Sequence, residues 1–408
     1  MSDARQESSE ARLQETSNLW TRLRNGRDFG VLPVIFGLVI IAIGFQTQNE
    51  NFLTPGNLVN LTVQMSAVTI IAMGVVYVLL LGEIDLSVGY VSGVGGAILA
   101  VLLLPGGPAE FGPATAIVLA ILAGVAIGTL QGTIITKLAV PSFVVTLAGL
   151  LGWSGVVLIV VGSHGSIIIQ DDFVRGLANS FLPEPVAWVM FGGLVFAYTY
   201  GSGRRIRQRS EAMPDSSSTW WRVVPRVGTV VVLGGGYVAI AYQDRGVPYV
   251  AVLLIALALV ATYSLTRTRF GIYVYAIGGN VEAAKRAGVN TDRIRIACFA
   301  IASMLAVIGG IVFASRLRSV DASAGSGPIL LYAIAAPVIG GTSLFGGRGS
   351  IFSAFLGALV IATIDNGLGL LGLSSGVKFI VTGLVLLLAV IADSLSRRSR
   401  AAAGERDH

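Results

Sequence analysis

Apolar residues run through this chain in long blocks, at about 31–46, 58–81, 88–104, 114–137, 141–162, 186–200, 227–242, 249–266, 296–314, 329–346, 350–371 and 378–395. Each block is a candidate span, because a helix crossing a hydrocarbon layer needs about 20 apolar residues and satisfies its own backbone. The polar faces that soluble helices show to water are missing from most of them. The pattern predicts an all-α fold, a polytopic transmembrane helical bundle of about 12 spans. Several blocks are short or interrupted by Gly or Pro. Residues 30–395 form this bundle, with polar tails at 1–29 and 396–408. The first tail has an amphipathic stretch around Leu13, Trp20 and Leu23. It lacks the cleavage pattern of a signal peptide.

Composition agrees. Hydrophobic residues make up 54% of the chain and charged residues 12%, about half the share usual in soluble domains. Mean hydropathy is +0.79. The net charge of +6 comes from Arg far more than Lys, and the Arg residues cluster in a few loops. Loop 201–226 is basic and looks like a solvated connector, with a Pro-Asp-Ser-Ser-Ser-Thr run. Loop 267–295 holds Arg267, Arg269, Lys285, Arg286, Arg293 and Arg295, and the last tail holds Arg397, Arg398, Arg400 and Arg406. With twelve spans and a cytoplasmic N-terminus, these three segments, Lys137 and Arg348 all fall inside, as the positive-inside rule requires. Both termini are then cytoplasmic, and no nucleic acid is needed to explain the charge. Loop 315–328, with Arg316 and Arg318, is the main exception outside.

Several chemistries are excluded. One cysteine, Cys298, and two histidines, His164 and His408, leave no metal centre and no internal disulfide. No Lys follows a Gly, so a phosphate-binding P-loop is absent. The spans carry no chain of carboxylates and histidines like those of proton-driven carriers. No catalytic residue and no cofactor is expected, and any energy source must come from a partner.

One short polar stretch stands out between two apolar blocks, Tyr275–Arg295. Asn280 is a good N-cap, 281–287 reads as helix, and Gly288 suits the position after its end. Glu282 and Arg286 have the favourable i,i+4 order. Ala283, Ala284 and Ala287 give a face of small residues. Two turns are marginal alone, so something holds this helix: either the chain's own loops or another protein.

Glu282-Ala283-Ala284 followed by Gly288 resembles the E-A-A-x-x-x-G coupling motif of ABC-importer permeases. The stretches GEIDLSVG at 82–89, LTRTRFGIYVYAIGGNVEAAKRAGVN at 265–290, AIAAPVIGGTSLFGGRGSIFSAFLGAL at 333–359 and IDNGLGLLG at 364–372 are similar to the monosaccharide permeases of the ribose and xylose type. The resemblance covers roughly 55–395. Glu83, the extra spans and the basic connector within 186–245 favour the xylose type. It implies a bacterial inner-membrane protein importing xylose or a similar sugar by alternating access. It also implies an ABC ATPase subunit on the coupling loop 267–295, an extracytoplasmic sugar-binding protein, a second permease copy as a homodimer, and surrounding membrane lipid. The alternative is an ion-coupled secondary carrier or passive facilitator for a small polar solute.

Two further sets of residues follow. Gly82, Glu83, Asp85, Ser87 and Gly89, with Gly346 and Gly347, form two turns that share the spacing G-x3-L-x2-G, an echo of the internal repeats common in transporters. They shape a gate or a contact surface; Asp85 or Ser87 alternatively caps the next helix. Tyr77, Gln131, Trp153, Asp365 and Asn366 are candidates to line a sugar path, the alternative being hydrogen bonds between helices. Asp171, Asp172, Glu184, Arg316, Arg318 and Asp321 lie in exterior loops, where charge pairs would orient a binding protein.

Overall fold

Proline marks where two of the long helices begin. Its missing N–H costs nothing in a first turn, and helices start at Pro55 and Pro113. The computed structural model describes residues 32–106, 111–212 and 220–385, with 387, 388 and 391. Both tails beyond residues 31 and 391, including Leu13, Trp20 and Leu23, lie outside the described residues.

A helix occupies each of the twelve apolar blocks. In chain order the helices are α1 (Leu32–Gln48), α2 (Pro55–Leu80), α3 (Val88–Leu102), α4 (Pro113–Lys137), α5 (Ser142–Val161), α6 (Asp172–Asn179), α7 (Glu184–Ala212) and α8 (Trp220–Ala241). They continue with α9 (Tyr249–Arg267), α10 (Arg269–Gly279), α11 (Val281–Arg286), α12 (Thr291–Leu317), α13 (Ile329–Ile339), α14 (Ile351–Leu370) and α15 (Ser375–Val385). Six of them, α2, α4, α5, α9, α12 and α14, are long and apolar enough to cross a membrane unaided. Shorter apolar helices, among them α1, α3, α8, α13 and α15, complete the set. The protein is a polytopic helical membrane protein.

Two expectations are corrected. The block 329–346 is not one helix: α13 stops at Ile339, and a turn with three left-handed glycines, Gly341, Gly346 and Gly347, takes the remainder. The basic connector 201–226 is not loop throughout, because α7 runs on to Ala212 and α8 begins at Trp220.

The core is built around α2 and α12. Ile70, Ile71, Ala72 and Met73 are fully buried on α2, and Phe299, Ala302, Ala306 and Val307 on α12. Helix α12 packs against α2, α3 and α4, while α14 packs against α13, α2 and α1. Without a hydrophobic drive in lipid, such packing depends on close backbone approach at small residues. At Gly310 of α12 a Cβ would overlap the Ser92 backbone of α3. By contrast α5 and α9 keep apolar side chains exposed, including Phe143, Leu151, Ile159, Leu259 and Val260.

The ends of the bundle differ. At one end Lys137, the 267–295 segment and the turn after α13 come together, as the charge distribution expects of a cytoplasmic face. At the other, β1 (Ser166–Ile168) pairs antiparallel with β2 (Ser319–Asp321), Ile167 opposite Val320. The two exterior loops therefore form one structure. Helix α6 is fastened beneath it by Ser315 of α12, which accepts from the Ala178 N–H at 3.0 Å, while Asn179 Nδ2 donates to the Ser315 carbonyl at 2.8 Å.

Candidate functional site

The polar stretch at the basic end of the bundle folds as two helices. Thr268 caps α10 through its hydroxyl, which accepts from the Gly271 N–H at 3.3 Å. Asn280 then closes α10 and opens α11, its Oδ1 accepting from the Ala283 N–H at 2.9 Å. Gly288 adopts φ 80 and ends α11, with its N–H donating to the Lys285 carbonyl and the Val289 N–H to the Ala284 carbonyl. That pair of bonds satisfies the last carbonyls of a helix. Val281, Glu282, Ala283, Lys285, Arg286 and Ala287 are exposed; Ala284 alone is buried, 4% exposed, against the permeating bundle. Glu282 pairs with Lys285 at 3.3 Å rather than with Arg286. The pair is exposed on both sides, so it contributes only tenths of a kcal/mol.

Three segments at this end of the bundle meet backbone to backbone beside α11. The Gly347 N–H donates to the Leu80 carbonyl at 2.9 Å, joining the turn after α13 to the end of α2. Gly278 of α10 lies against both: a Cβ there would overlap the Leu80 carbonyl and stand 2.6 Å from Gly347 N. Tyr275 of α10 donates to the Gly349 carbonyl at 2.9 Å. The two turns that share a glycine spacing are thus packed on each other, and Gly82 and Gly346 hold the left-handed conformations, φ 79 and 84, that close them.

Within the first turn Asp85 is buried and Glu83 partly so. Asp85 is 1% exposed and its Oδ1 accepts from the Ser87 N–H at 2.8 Å and the Ser87 hydroxyl at 2.6 Å. Asp85 thereby organises the entry to α3, and Ser87 at the N-cap makes no capping bond through its own side chain. The Ser87 hydroxyl also meets Gln131 of α4, whose Nε2 donates to it at 3.0 Å. Trp153 of α5 lies in the same cluster, with its Nε1 buried and without a partner among the described residues. Gly89, two residues on, faces the Gly325 carbonyl of an exterior-side loop. Glu83 is bonded to Arg295 of α12. Burial raises both carboxyls from their ordinary values; Arg295 opposes this at Glu83, and Ser87 at Asp85.

An open cleft of about 320 Å³ lies at the opposite end, beside α6, lined by Asn60, Gln64, Asn179, Arg245, Arg316 and Arg318 among others. Arg245 donates to Asn60 Oδ1 at 2.7 Å and to Asp244 at 2.9 Å. Arg318 reaches Asn179 Oδ1 at 3.4 Å. Asn366 of α14 is held by Asn57 and donates to Gln64 Oε1 at 3.3 Å, so it stands one bond from the cleft.

The five path candidates are therefore not one lining. Asn366 adjoins the outer cleft. Asp365 is 3.8 Å from Lys378. Tyr77 donates to the Ala261 carbonyl of α9 at 3.1 Å and lies 2.9 Å from the Ser264 hydroxyl, a bond between helices. Gln131 and Trp153 join Asp85 and Ser87 instead. Sequence reasoning missed Arg245 and Asn179 at the cleft and the partner of Glu83. Arg316 and Arg318 had carried one signal, as basic residues on the wrong side of the charge rule.

Residues 57–390 match the family model described as branched-chain amino acid transport system / permease component. The chain belongs to this permease family. It is 36% identical over 370 residues to the xylose transport system permease protein XylH of Escherichia coli (strain K12), covering 90% of this chain and 92% of that protein. It is 34% identical over 357 residues to the ribose import permease protein RbsC of the same strain, covering 88% and 91%. With RbsC of Bacillus subtilis (strain 168) it shares 31% over 385 residues, 93% and 98% of the two chains. No solved structure matches it. The permease described here is a component of a transport system and not itself an enzyme.

Proposed function

We propose that this permease is the membrane subunit of an ABC importer in the bacterial inner membrane, moving a monosaccharide such as xylose inward by alternating access. The observation that carries the reading is α11. Six residues cannot hold a helix in water, yet this one is capped at both ends and spends a single side chain, Ala284, on its own bundle. The exposed remainder, with Glu282, Ala283 and Arg286, is the surface that a partner ATPase takes, and the kinship with sugar permeases supports the same assignment. The outer face joined by β1 and β2 receives a sugar-binding protein, and the cleft beside Asn366 is the outer mouth of the path. The apolar sides of α5 and α9 meet lipid and a second copy of the chain.

The test is the pair Glu282→Lys and Gly288→Val, the second placing a branched side chain at φ 80. Both variants should insert normally but lose co-purification of the ATPase and sugar uptake. Wild-type uptake with normal co-purification removes the docking reading. Uptake that follows an ion gradient and ignores ATP depletion favours the secondary carrier.

A further inference from the structure

Glu83 and Arg295 are 212 residues apart in sequence and meet at the cytoplasmic end of the bundle. Glu83 stands in the turn that follows α2; Arg295 stands at the second turn of α12. Their side chains are 12% and 29% exposed. The contact uses one atom of each group, Nε and Oε1. Glu83 Oε2 is buried with no partner among the described residues. A carboxylate in such a place is costly, and a buried ion pair adds little to stability compared with apolar packing. A half-satisfied one adds less.

The location explains why the cost is borne. Residues 287–290 alone separate α11 from α12, and the short link is itself ordered: Val289 N–H donates to the Ala284 carbonyl and the Asn290 side chain caps α12, accepting from the Arg293 N–H at 3.1 Å. A displacement of α11 therefore reaches the first turns of α12. There Arg295 is the charged side chain that grips the inner end of α2, the most deeply buried of the long spans. An arginine can present two donors side by side to a carboxylate. With one donor engaged and Oε2 unspent, the pair can pass between one-point and two-point contact without opening. That property suits a link that must hold in two positions.

We propose that Glu83 and Arg295 are positioning residues for energy coupling: opposite charges at these two positions carry the movement of α11 to α2. This rests on α11 being the ATPase-docked helix. Lys137 and Asp292, 3.0 Å apart on α4 and the first turn of α12, supply an internal comparison. Their side chains are 60% and 38% exposed, and exposed pairs of this kind contribute little.

The experiment uses the whole importer, with its ATPase and binding protein, in proteoliposomes, and measures ATPase co-purification, ATP hydrolysis and sugar uptake. Glu83→Arg and Arg295→Glu should each keep the ATPase bound yet lower sugar moved per ATP by about tenfold or more. The double reversal Glu83→Arg/Arg295→Glu should recover most of that loss, whereas a merely structural pair would lower the amount of assembled importer and leave the sugar moved per ATP unchanged in what assembles. Glu83→Gln, a milder change that preserves shape, should also lower the ratio of uptake to hydrolysis if the reversed variants fail to assemble. Lys137→Ala should change it by less than about twofold. A wild-type ratio in Glu83→Gln, or an assembled double reversal no better than either single change, overturns the proposal. If Glu282→Lys uncouples uptake while Glu83→Gln does not, the pair falls and the docking reading stands. If Glu282→Lys keeps both uptake and the ATPase, the docking reading falls first.

Discussion

Gly278 and Gly279 are neighbours at the end of α10, and replacing each by Ala should have opposite effects. In an exposed helix the change from Gly to Ala stabilises by about 1 kcal/mol, since Gly has more backbone freedom to lose. Gly279 meets that case, because a Cβ there would find no atom within 4 Å. At Gly278 a Cβ would overlap the Leu80 carbonyl and lie 2.6 Å from Gly347 N. The backbones of α10 and α2 must then part by more than an ångström. Overpacking of this sort costs about 1–3 kcal/mol, and the bond from Gly347 N–H to Leu80, worth about 1 kcal/mol net, is strained with it. Subtracting the helix gain leaves Gly278→Ala destabilised by about 1–3 kcal/mol. Thermal unfolding of the purified permease in detergent would show a lower midpoint for Gly278→Ala and an equal or higher one for Gly279→Ala. Equal shifts of the same sign would refute the idea that these turns are joined backbone to backbone.

Two further outcomes follow from the same geometry. Asn280→Ala removes the acceptor that caps α11, which costs about 1 kcal/mol of helix stability and should weaken ATPase binding by about fivefold, with Asn280→Ser close to wild type; a titration showing less than a twofold loss would count against the cap. Burial raises the Asp85 carboxyl, so the folded state favours its neutral form and stability declines as pH climbs from the ordinary carboxylate value through the raised one. Asp85→Asn keeps an acceptor for Ser87 and removes the charge, so the unfolding midpoint should lose that part of its pH slope; an unchanged slope means Asp85 does not cause it.

What could be read in advance was set by length and local chemistry. Each apolar block holds a helix among the described residues, because lipid permits little else. The cap at Asn280 and the stop at Gly288 were legible since both depend on residues a few positions apart. The block 329–346 misled because Leu344 and Phe345 are apolar while the glycines around them turn the backbone, and hydropathy does not register φ. The connector misled in the other sense, as charge at Arg204–Arg209 reads as solvated while Arg, Gln and Glu are good helix formers. Candidates in the membrane were hardest. Tyr77, Gln131 and Asn366 are each polar in an apolar run, and nothing local says that one bonds to α9, one to Ser87 and one beside the outer cleft. Glu83 with Arg295 is the extreme case, since only the packing of α12 on α2 brings them together.

Helix α12 unites these observations. At 27 residues it is about 40 Å long, at 1.5 Å per residue, enough to run from one face of the membrane to the other. Its first turns follow α11 and carry Asp292 and Arg295. Its last turns carry Ser315, which fastens α6, and Arg316, which lines the exterior cleft. Between them it packs on α2, α3 and α4 through small residues such as Ala302, Ala306 and Gly310. Close backbone packing leaves no soft layer in which a tilt could dissipate. On the proposed reading, a push on α11 reaches the outer cleft as well as Glu83 through this one rigid element. The alternating access proposed for the permease needs such a link, and Gly309 and Gly310 contribute to it by letting α12 close on α2 and α3.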